Sequence, residues 1–445
     1  MTDPTAKPRK AAPTRTLGLL DSTSLIVGII VGAGLYQVAP DVARGTGGWW
    51  TVLALWVAGG LISLFGAFGY AELGAALPRA GGDYVYLSRA YGRWAGFLFG
   101  WMQTVVVRPG DIAGMAFAFA TYAQVVWNPW PESGFLSPGQ LYACVAVAVL
   151  TLVNAAGVRE GKWTQNLLTL AKVAGLALVL VVAVAVPPGR PPASEVENLP
   201  ARVALILVLF TYGGWNEMAY VAAEVRDPRR NIARALIIGT ISVTLLYVLA
   251  NAAFLHTLGY AGLAGSDAVA ADAVAQALPR IGGAVVAGLV CLSALGAVNG
   301  LIFTGARISY AMGREHAAFK PLGTWSGRTG TPVPALLLQG AIAVGLILVL
   351  GTFLNAIVYT AAAVYLFYTA TSVAVLILRR REPGLDRPFR VPLYPLPTLV
   401  FCAVCVVLIH GAVDYKPLLS LLALAFVLAG LPVYLWSRSR RWRGS

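Results

Sequence analysis

The chain has 445 residues, of which 58% are hydrophobic and only 12% are charged. A soluble domain carries about 25% charged residues, so this composition excludes an ordinary soluble protein and indicates an integral membrane protein. The formal net charge is +14. The basic residues lie in short loops between apolar runs, where they act as orientation signals. The charge therefore does not indicate nucleic-acid binding.

Long apolar runs predict an all-α membrane protein, because the strands of an outer-membrane barrel would be alternating segments of about ten residues. A spanning helix needs about 20 apolar residues. We predict twelve transmembrane helices, at residues 22–44, 49–77, 91–127, 138–157, 164–186, 201–224, 234–258, 282–312, 332–351, 353–379, 395–413 and 417–436. The segment 266–280 is too polar to span and predicts a short helix at the outer face.

The basic residues also predict the orientation of the spans. Loops on one side are rich in Lys and Arg. The loops on the opposite side hold only Arg44, Arg190, Arg202, Arg280 and Lys416. By the positive-inside rule, both termini are expected in the cytoplasm, and the protein in the cytoplasmic membrane. Residues 1–16 predict a disordered polar tail without a cleavable signal peptide, and residues 437–445 predict a second tail.

Glycines interrupt two of the predicted spans. Span 1 contains "GIIVGAGLYQVAP", with Gly28, Gly32 and Gly34, and span 6 contains "FTYGGWN", with Gly213 and Gly214. An interior Gly costs a helix about 1 kcal/mol relative to Ala, and lipid cannot satisfy exposed backbone groups. For a lone glycine motif, close packing of helices is the alternative explanation. Paired interruptions in two halves of a chain instead point to a transporter binding site.

The spacing of the two interruptions predicts an inverted repeat. They lie five spans apart, and an odd repeat length makes the second half enter the membrane from the opposite side. We predict a five-plus-five fold in which residues 17–186 form the first repeat, residues 201–379 the second, and residues 395–436 two added helices. Unwound backbone exposes N–H and C=O groups, which suit the carboxylate and the ammonium of an amino acid.

Several strings resemble the L-type branch of the amino acid–polyamine–organocation superfamily, which has the LeuT-like fold with discontinuous helices 1 and 6. The similarity extends from about residue 18 to residue 436. It is carried by strings such as "YAELGAALPRAGGDYVYLSRAYG", "LFTYGGWNEMAYVAAEVRDPRRNI" and "SALGAVNGLIFTGARISYAMGRE". The resemblance implies a secondary amino acid transporter that works by alternating access, with spans 1, 2, 6 and 7 rocking against spans 3, 4, 8 and 9.

The resemblance also implies a substrate site. The carboxylate of the substrate would meet the backbone of Ile30, Gly32, Ala33 and Gly34, although the family more often has Ser at position 33. The amino group would meet carbonyl groups near Ile29, Phe210, Thr211 and Gly213. The side-chain pocket would be shaped by Trp215, Asn216 and Asn299. The ring of Phe210 would close over the substrate from outside as a gate.

Some charged residues lie well inside predicted spans, where a charge is costly and by default functional. In the family, a Lys matching Lys172 replaces a sodium ion near broken span 1, so Lys172 is expected to mimic sodium or to carry a proton. Snorkelling to the interface is the alternative. Glu217 would favour a cationic substrate, carry a proton, or be paired structurally. Arg108 and Asp111 flank Pro109, which predicts a kink, and both a functional and a structural role stay open for them.

We therefore expect sodium-independent exchange or proton symport of amino acids. A polyamine or cationic amino acid transporter of the same fold is the alternative, and a non-transporting sensor is a weaker one. The sequence contains no nucleophile motif, metal-ligand cluster or phosphate loop, so neither an enzyme nor a cofactor is expected. All four cysteines lie in apolar runs and the outer loop 127–139 has none, so no disulfide-linked heavy subunit is expected.

Overall fold

The computed structural model describes residues 18–78, 82–130, 136–157, 162–188, 198–216, 225–279 and 281–441. Within these ranges the chain forms helices joined by turns and loops, without a β-strand, which agrees with the predicted all-α class. The described α-helices are α1 Leu19–Ile30, α2 Gly34–Arg44, α3 Trp49–Ala76, α4 Asp83–Tyr91, α5 Arg93–Met102, α6 Arg108–Val126, α7 Pro138–Ala155, α8 Lys162–Ala185, α9 Ala201–Thr211, α10 Pro228–Gly265, α11 Val269–Ala275, α12 Gly282–Glu315, α13 Val333–Leu350, α14 Phe353–Arg381, α15 Leu396–Tyr415 and α16 Pro417–Arg441.

Eight helices in the described ranges are long and apolar enough to cross a membrane, and the bent pair α1–α2 would be a ninth. The eight are α3, α7, α10, α12, α13, α14, α15 and α16. The other three predicted spans correspond to α5–α6, α8 and α9, which are divided, short or described only in part. The chain is thus a multi-pass membrane protein, whereas the count of twelve stays a prediction. The predicted short helix within 266–280 is α11.

Local sequence explains where two of the helices begin. The hydroxyl of Ser137 accepts a hydrogen bond from the N–H of Gln140 (3.2 Å) at the start of α7. The hydroxyl of Thr352 accepts one from the N–H of Asn355 (3.2 Å) at the start of α14. Such caps satisfy N–H groups that a helix leaves unbonded in its first turn.

Small residues let the helices approach one another closely. α3 packs along α10, where a Cβ atom on Gly60 would lie 2.3 Å from Oγ1 of Thr244. α6 meets α14, where a Cβ atom on Gly110 would lie 2.2 Å from Cγ2 of Thr360. Close approach of this kind is typical of membrane helices. The hydrophobic effect does not drive their association in lipid, so they depend on close van der Waals packing.

An aromatic cluster occupies the core between α3, α10 and the segment that follows α9. Trp56, Tyr212 and Tyr247 are each fully buried, and their ring centroids lie 5.1 to 6.0 Å apart. The hydroxyl of Tyr212 donates a hydrogen bond to the backbone oxygen of Trp56 (2.9 Å). This cluster anchors the chain just beyond the end of α9.

A buried carboxylate closes the end of the bundle that carries the Arg-rich loops. Glu72 of α3 is 2% exposed and accepts hydrogen bonds from Nε of Arg379 (2.8 Å) and from the N–H of Val391 (2.8 Å). A buried charge is tolerated only when it is paired and hydrogen-bonded. Nearby, Arg89 donates to Glu382 (Nη2 to Oε2, 2.7 Å), and this hydrogen bond lowers the pKa of the Glu382 carboxyl. These contacts tie α3 and α4 to the end of α14.

Candidate functional site

The helix of span 1 is interrupted beside the glycines that predict the interruption. α1 ends at Ile30, α2 begins at Gly34, and the two axes differ by 55°. Val31 has an extended backbone (φ −70°, ψ 111°), which terminates α1. Gly28 lies inside α1 rather than in the break. The break therefore comprises residues 31–33.

Backbone donors at this break have no acceptor. Among the described residues, the N–H groups of Gly32, Ala33 and Gly34 donate no hydrogen bond, whereas the N–H of Val31 still donates to the carbonyl of Val27 (2.8 Å). Buried N–H groups are almost always hydrogen-bonded, and the N-terminal end of a helix such as α2 carries a partial positive charge. The break is chemically suited to an anionic group such as a carboxylate.

A second break follows α9, which ends at Thr211. The chain turns there, and the N–H of Gly213 donates to the carbonyl of Phe210 (2.9 Å). Gly214 has a φ of 107°, a conformation that favours glycine, and a Cβ atom on it would lie 2.8 Å from Cγ2 of Ile29. The second break therefore packs directly on the end of α1. Residues 217–224, and with them Glu217, lie outside the described residues.

One tyrosine joins the ends of the two broken helices. The hydroxyl oxygen of Tyr247, on α10, lies 2.8 Å from the carbonyl oxygen of Ile30 and 3.1 Å from that of Thr211. These carbonyls belong to the last turns of α1 and α9, where a helix has no N–H of its own to bond them. Sequence reasoning missed Tyr247, because nothing in the sequence distinguishes it from the other members of a set of 18 tyrosines.

Lys172 of α8 also contacts the end of α1. Its Nζ atom donates to the carbonyl oxygen of Gly28 at 3.4 Å. The last turn of a helix carries a partial negative charge on its unbonded carbonyls, so a cation is stabilising there. The predicted role of Lys172 as a sodium mimic or proton carrier stays a prediction.

Both breaks line one cavity of about 430 Å³. Small-molecule sites usually have volumes of about 300–1,000 Å³. The predicted site residues that line this cavity are Ile29, Ile30, Gly32, Gly34, Lys172, Phe210, Thr211, Gly213 and Asn216. The structure therefore brings most of the predicted site together.

Three predicted site residues lie behind the cavity wall. Ala33 is fully buried, so only its backbone is available to a ligand. Trp215 is 2% exposed and stacks edge-on against Tyr70, with ring centroids 4.9 Å apart. The side-chain oxygen of Asn299 accepts a hydrogen bond from Nδ2 of Asn154 (2.6 Å). Trp215 and Asn299 therefore support the cavity wall from the side that faces away from the cavity.

Phe210 lies beside the first break. Its ring centroid is 5.9 Å from that of Phe353, the first residue of α14, in an edge-to-face arrangement. A Cβ atom on Gly34 would lie 3.8 Å from its Cε1. The ring of Phe210 thus contacts Phe353 next to the N-terminus of α2.

The wall formed by α6 carries polar residues. Gln103, Arg108 and Asp111 line the cavity, and a π-helical turn over Gln103–Val107 precedes α6. Pro109 lies in the first turn of α6, where its missing N–H is tolerated, and π turns often occur at functional sites. The kink at Pro109 stays a prediction. The amide oxygen of Gln103 is buried and has no hydrogen-bond partner among the described residues. No sequence signal singled out Gln103.

Comparison with known proteins identifies the family. Residues 17–432 match the model of the amino acid permease family. The chain belongs to the amino acid permease family. This permease is 32% identical to the human protein named large neutral amino acids transporter small subunit 2, over 94% of the chain and 80% of the relative. It is 31% identical to human b(0,+)-type amino acid transporter 1, over 96% of the chain and 89% of the relative. The resemblance seen in the sequence is confirmed.

The comparison also corrects one expectation about partners. The first of these relatives is named a small subunit, so the expectation that this permease has no disulfide-linked heavy subunit is not borne out. The reasoning was incomplete, because the absence of cysteine from loop 127–139 bears on a disulfide from that loop and not on assembly by other contacts.

Proposed function

We propose that this permease is a secondary active transporter that moves amino acids across the cytoplasmic membrane by alternating access. The substrate binds in the cavity between the two breaks, and the chain has twelve spans in a five-plus-five inverted repeat with both termini in the cytoplasm. The observation that supports this most is the set of unbonded N–H groups at Gly32, Ala33 and Gly34 beside a cavity that the second break also lines.

The two ends of a zwitterion find complementary partners at the breaks. The N–H groups at residues 32–34 and the N-terminus of α2 bind the carboxylate. The carbonyl oxygens near Ile29, Phe210, Thr211 and Gly213 bind the ammonium, since each carbonyl has two lone pairs and can accept a ligand besides its present partner. Because these contacts use only the backbone, they are the same for every α-amino acid, and the rest of the cavity sets the substrate range.

Phe210 and Phe353 form the outer gate of this cycle. Phe210 lines the cavity, its ring contacts that of Phe353 edge-to-face, and the proposed cover is this pair. Alternating access requires that such a cover opens when the inner end closes. Rocking of spans 1, 2, 6 and 7 against spans 3, 4, 8 and 9 moves Phe210 with span 6. Phe353 starts span 10, which belongs to neither group, so opening requires that Phe210 moves relative to it.

Lys172 makes the cycle independent of sodium. Its ammonium supplies a fixed positive charge at the carbonyl end of α1 (3.4 Å from the oxygen of Gly28), where a bound cation is otherwise needed. Coupling is then by exchange of one amino acid for another, or by a proton that Lys172 or Glu217 carries.

The substrate class is neutral amino acids, for which one relative is named. A cationic amino acid or polyamine transporter of the same fold is the alternative. Polar residues on the α6 wall favour a substrate site that is not purely apolar.

Binding is tested first on the purified chain, because a binding measurement needs no gradient. Its melting temperature is measured against each common amino acid and against polyamines. A ligand at about 100 times its Kd stabilises the folded state by about 2.7 kcal/mol, so a true substrate raises the melting temperature clearly. No shift with any amino acid would contradict the proposal.

Transport is then measured with the best ligand in proteoliposomes. Counterflow without a pH gradient indicates exchange, and uptake that follows an imposed pH gradient indicates proton symport. Replacing sodium by choline should leave the rate of counterflow or of pH-driven uptake unchanged. Lys172→Met should reduce uptake by about tenfold or more, because a hydrogen bond to a charged group contributes about 1.5–3 kcal/mol, while Lys172→Arg should retain part of it. Uptake that requires sodium, or that Lys172→Met leaves intact, would show that Lys172 merely snorkels to the interface.

A further inference from the structure

One polar side chain in the cavity wall has no hydrogen-bond partner among the described residues. Gln103, at the start of the π turn that precedes α6, lines the cavity and is only 7% exposed. Its amide oxygen is buried and accepts no hydrogen bond, and within the described ranges its amide nitrogen donates none. Buried side-chain amides are nearly always hydrogen-bonded, so an unbonded one requires an explanation.

The other polar side chains of the described cavity wall already take part in interactions. Its threonine and tyrosine hydroxyls donate to backbone or side-chain oxygens. Lys172 donates to a backbone carbonyl, and Asn216 accepts a hydrogen bond from a tyrosine hydroxyl. Arg108 and Asp111, which follow Gln103 on the same wall, each have an interaction of their own. The missing hydrogen bond in this part of the wall is therefore at Gln103.

The backbone around Gln103 is fixed by hydrogen bonds. The hydroxyl of Thr104 donates to the carbonyl of Gly100 (2.9 Å) and accepts from the hydroxyl of Ser309 on α12 (3.3 Å). The carbonyl of Gln103 accepts from the N–H of Arg108, which closes the π turn. The missing partner is thus not the result of a loose segment, and the amide can reorient only through its side-chain torsions.

Contacts with α14 place Gln103 near the second break. One helical turn before Gln103, the ring centroid of Phe99 lies 5.7 Å from that of Phe367, and both residues line the cavity. The next residue of α14, Tyr368, donates to the side-chain oxygen of Asn216 (3.3 Å), which follows the glycines of the second break. A substrate whose amino group is bound by the carbonyls of this break therefore has Gln103 in the same part of the cavity.

The chemistry of an amide defines the ligand group that matches it. An amide has two N–H donors and an acceptor oxygen, and its two ends have nearly the same shape, so rotation of the last torsion exchanges them. A cation only donates and an ionised carboxylate only accepts, whereas a carboxamide or a hydroxyl does both. A neutral group of this kind can bond the amide of Gln103 in either orientation.

We propose that Gln103 is the hydrogen-bond partner of the substrate side chain. The permease therefore prefers amino acids whose side chain ends in a carboxamide or a hydroxyl over apolar side chains of the same size. This inference rests on the proposed function and narrows its substrate class. An apolar side chain would cover the amide without bonding it, and sites with buried polar groups reject ligands that leave those groups unpaired.

Three pairs of nearly isosteric amino acids test the preference: glutamine against methionine, asparagine against leucine, and threonine against valine. The dissociation constant of each is obtained from the melting temperature of the purified chain over a concentration series. In the wild type, the polar member of at least one pair should bind about tenfold more tightly than its apolar partner, which corresponds to about 1.4 kcal/mol. The pair with the largest preference has the side-chain length that reaches Gln103.

Gln103→Met assigns the preference to the amide, because methionine has nearly the same shape and is apolar. The ratio of the two dissociation constants in the preferred pair should fall about tenfold. Without a ligand, the variant should melt at the wild-type temperature or above, since it removes a buried polar group that has no partner. A clearly lower melting temperature would show that the amide is bonded inside the folded protein, and it would contradict the inference. Gln103→Leu is the second variant if Gln103→Met does not fold.

Met102→Leu is the matched control, because Met102 precedes Gln103, lines the same cavity and is apolar. It should change the affinities of both members of each pair alike. A wild type without a preference in any pair, as expected if a buried water bonds the amide, overturns the inference, and so does a Gln103→Met variant that keeps the preference. Amino acid binding itself stands in both cases. If no amino acid of either kind binds, the proposed function fails instead.

Discussion

The two helix breaks differ in how their glycines are surrounded. At the first break, a Cβ atom on Gly32 would meet nothing within 4 Å, and the same holds for Gly28 in the last turn of α1. At the second, a Cβ atom on Gly213 would lie 2.8 Å from the carbonyl oxygen of Phe210, and one on Gly214 would lie 2.8 Å from the side chain of Ile29. The first break is open to the cavity, and the second is packed.

The same residue type therefore serves two physical purposes. Gly32 leaves space and unbonded N–H groups beside the cavity, which is what a ligand needs. Gly214 adopts a φ of 107° and lets the second break approach the end of α1. An open break can lose a glycine without a steric clash, whereas a packed break cannot. Substitutions at the two breaks should therefore impair different properties of the protein.

Gly214→Ala should have the largest effect on stability. Alanine is strained at this φ by about 1–2 kcal/mol, and its methyl group would overlap Ile29, which costs about 1–3 kcal/mol more. The melting temperature of the purified variant should fall markedly. Gly32→Ala is the matched comparison, and it should melt near the wild type while binding amino acids weakly, because the new methyl group occupies the cavity.

The outcome that would contradict this comparison is a Gly214→Ala variant that melts like the wild type. The backbone after α9 would then have freedom that the packing against Ile29 excludes. A Gly32→Ala variant that binds amino acids normally would show separately that the first break is not the carboxylate site.

Tyr247→Phe should have an intermediate effect, and it tests whether the two breaks are coupled. It removes the hydroxyl shared by the carbonyls of Ile30 and Thr211. Leaving a buried acceptor unbonded costs about 1–3 kcal/mol. The melting temperature should fall, and amino acid affinity should fall with it, because the relative position of the breaks defines the site.

Tyr260→Phe is a control with matched chemistry. The hydroxyl of Tyr260 also bonds two carbonyls, those of Ala43 and Thr46, but at the far end of α2. This variant should lose stability without losing affinity for the substrate. If both variants bind amino acids equally well, Tyr247 contributes only to folding, and the two breaks act independently of its hydroxyl.

Features of the site that depend on one stretch of backbone could be predicted from the sequence. Gly32 and Gly213 indicate the two breaks, because a glycine inside a helix lowers the stability of the helix and is expected only where the backbone conformation requires it. Features that depend on contacts between distant helices could not be predicted. Tyr247 reaches the break across 217 residues of sequence, and no periodicity or motif encodes that contact.

The resemblance to the family indicated which positions of the chain belong to the site, but it did not indicate where their side chains point. It indicated Trp215 and Asn299 as pocket residues, yet Trp215 stacks on Tyr70 and Asn299 bonds Asn154 behind the wall. A shift of one position on a helix turns a side chain by about 100°, so a resemblance that gives the chain position leaves the direction of the side chain open.

Gly28→Ala should have the smallest effect, and it separates the glycines of span 1 from one another. The sequence groups Gly28 with Gly32 and Gly34, but Gly28 lies inside α1 with regular helical neighbours and open space at its Cβ position. Alanine there should stabilise the helix by up to about 1 kcal/mol. The carbonyl that accepts the hydrogen bond from Lys172 is unchanged by the substitution. The melting temperature should therefore stay equal or rise slightly. A fall as large as that expected for Gly214→Ala would mean that the end of α1 is as tightly enclosed as the second break, and the distinction between an open and a packed break would not hold.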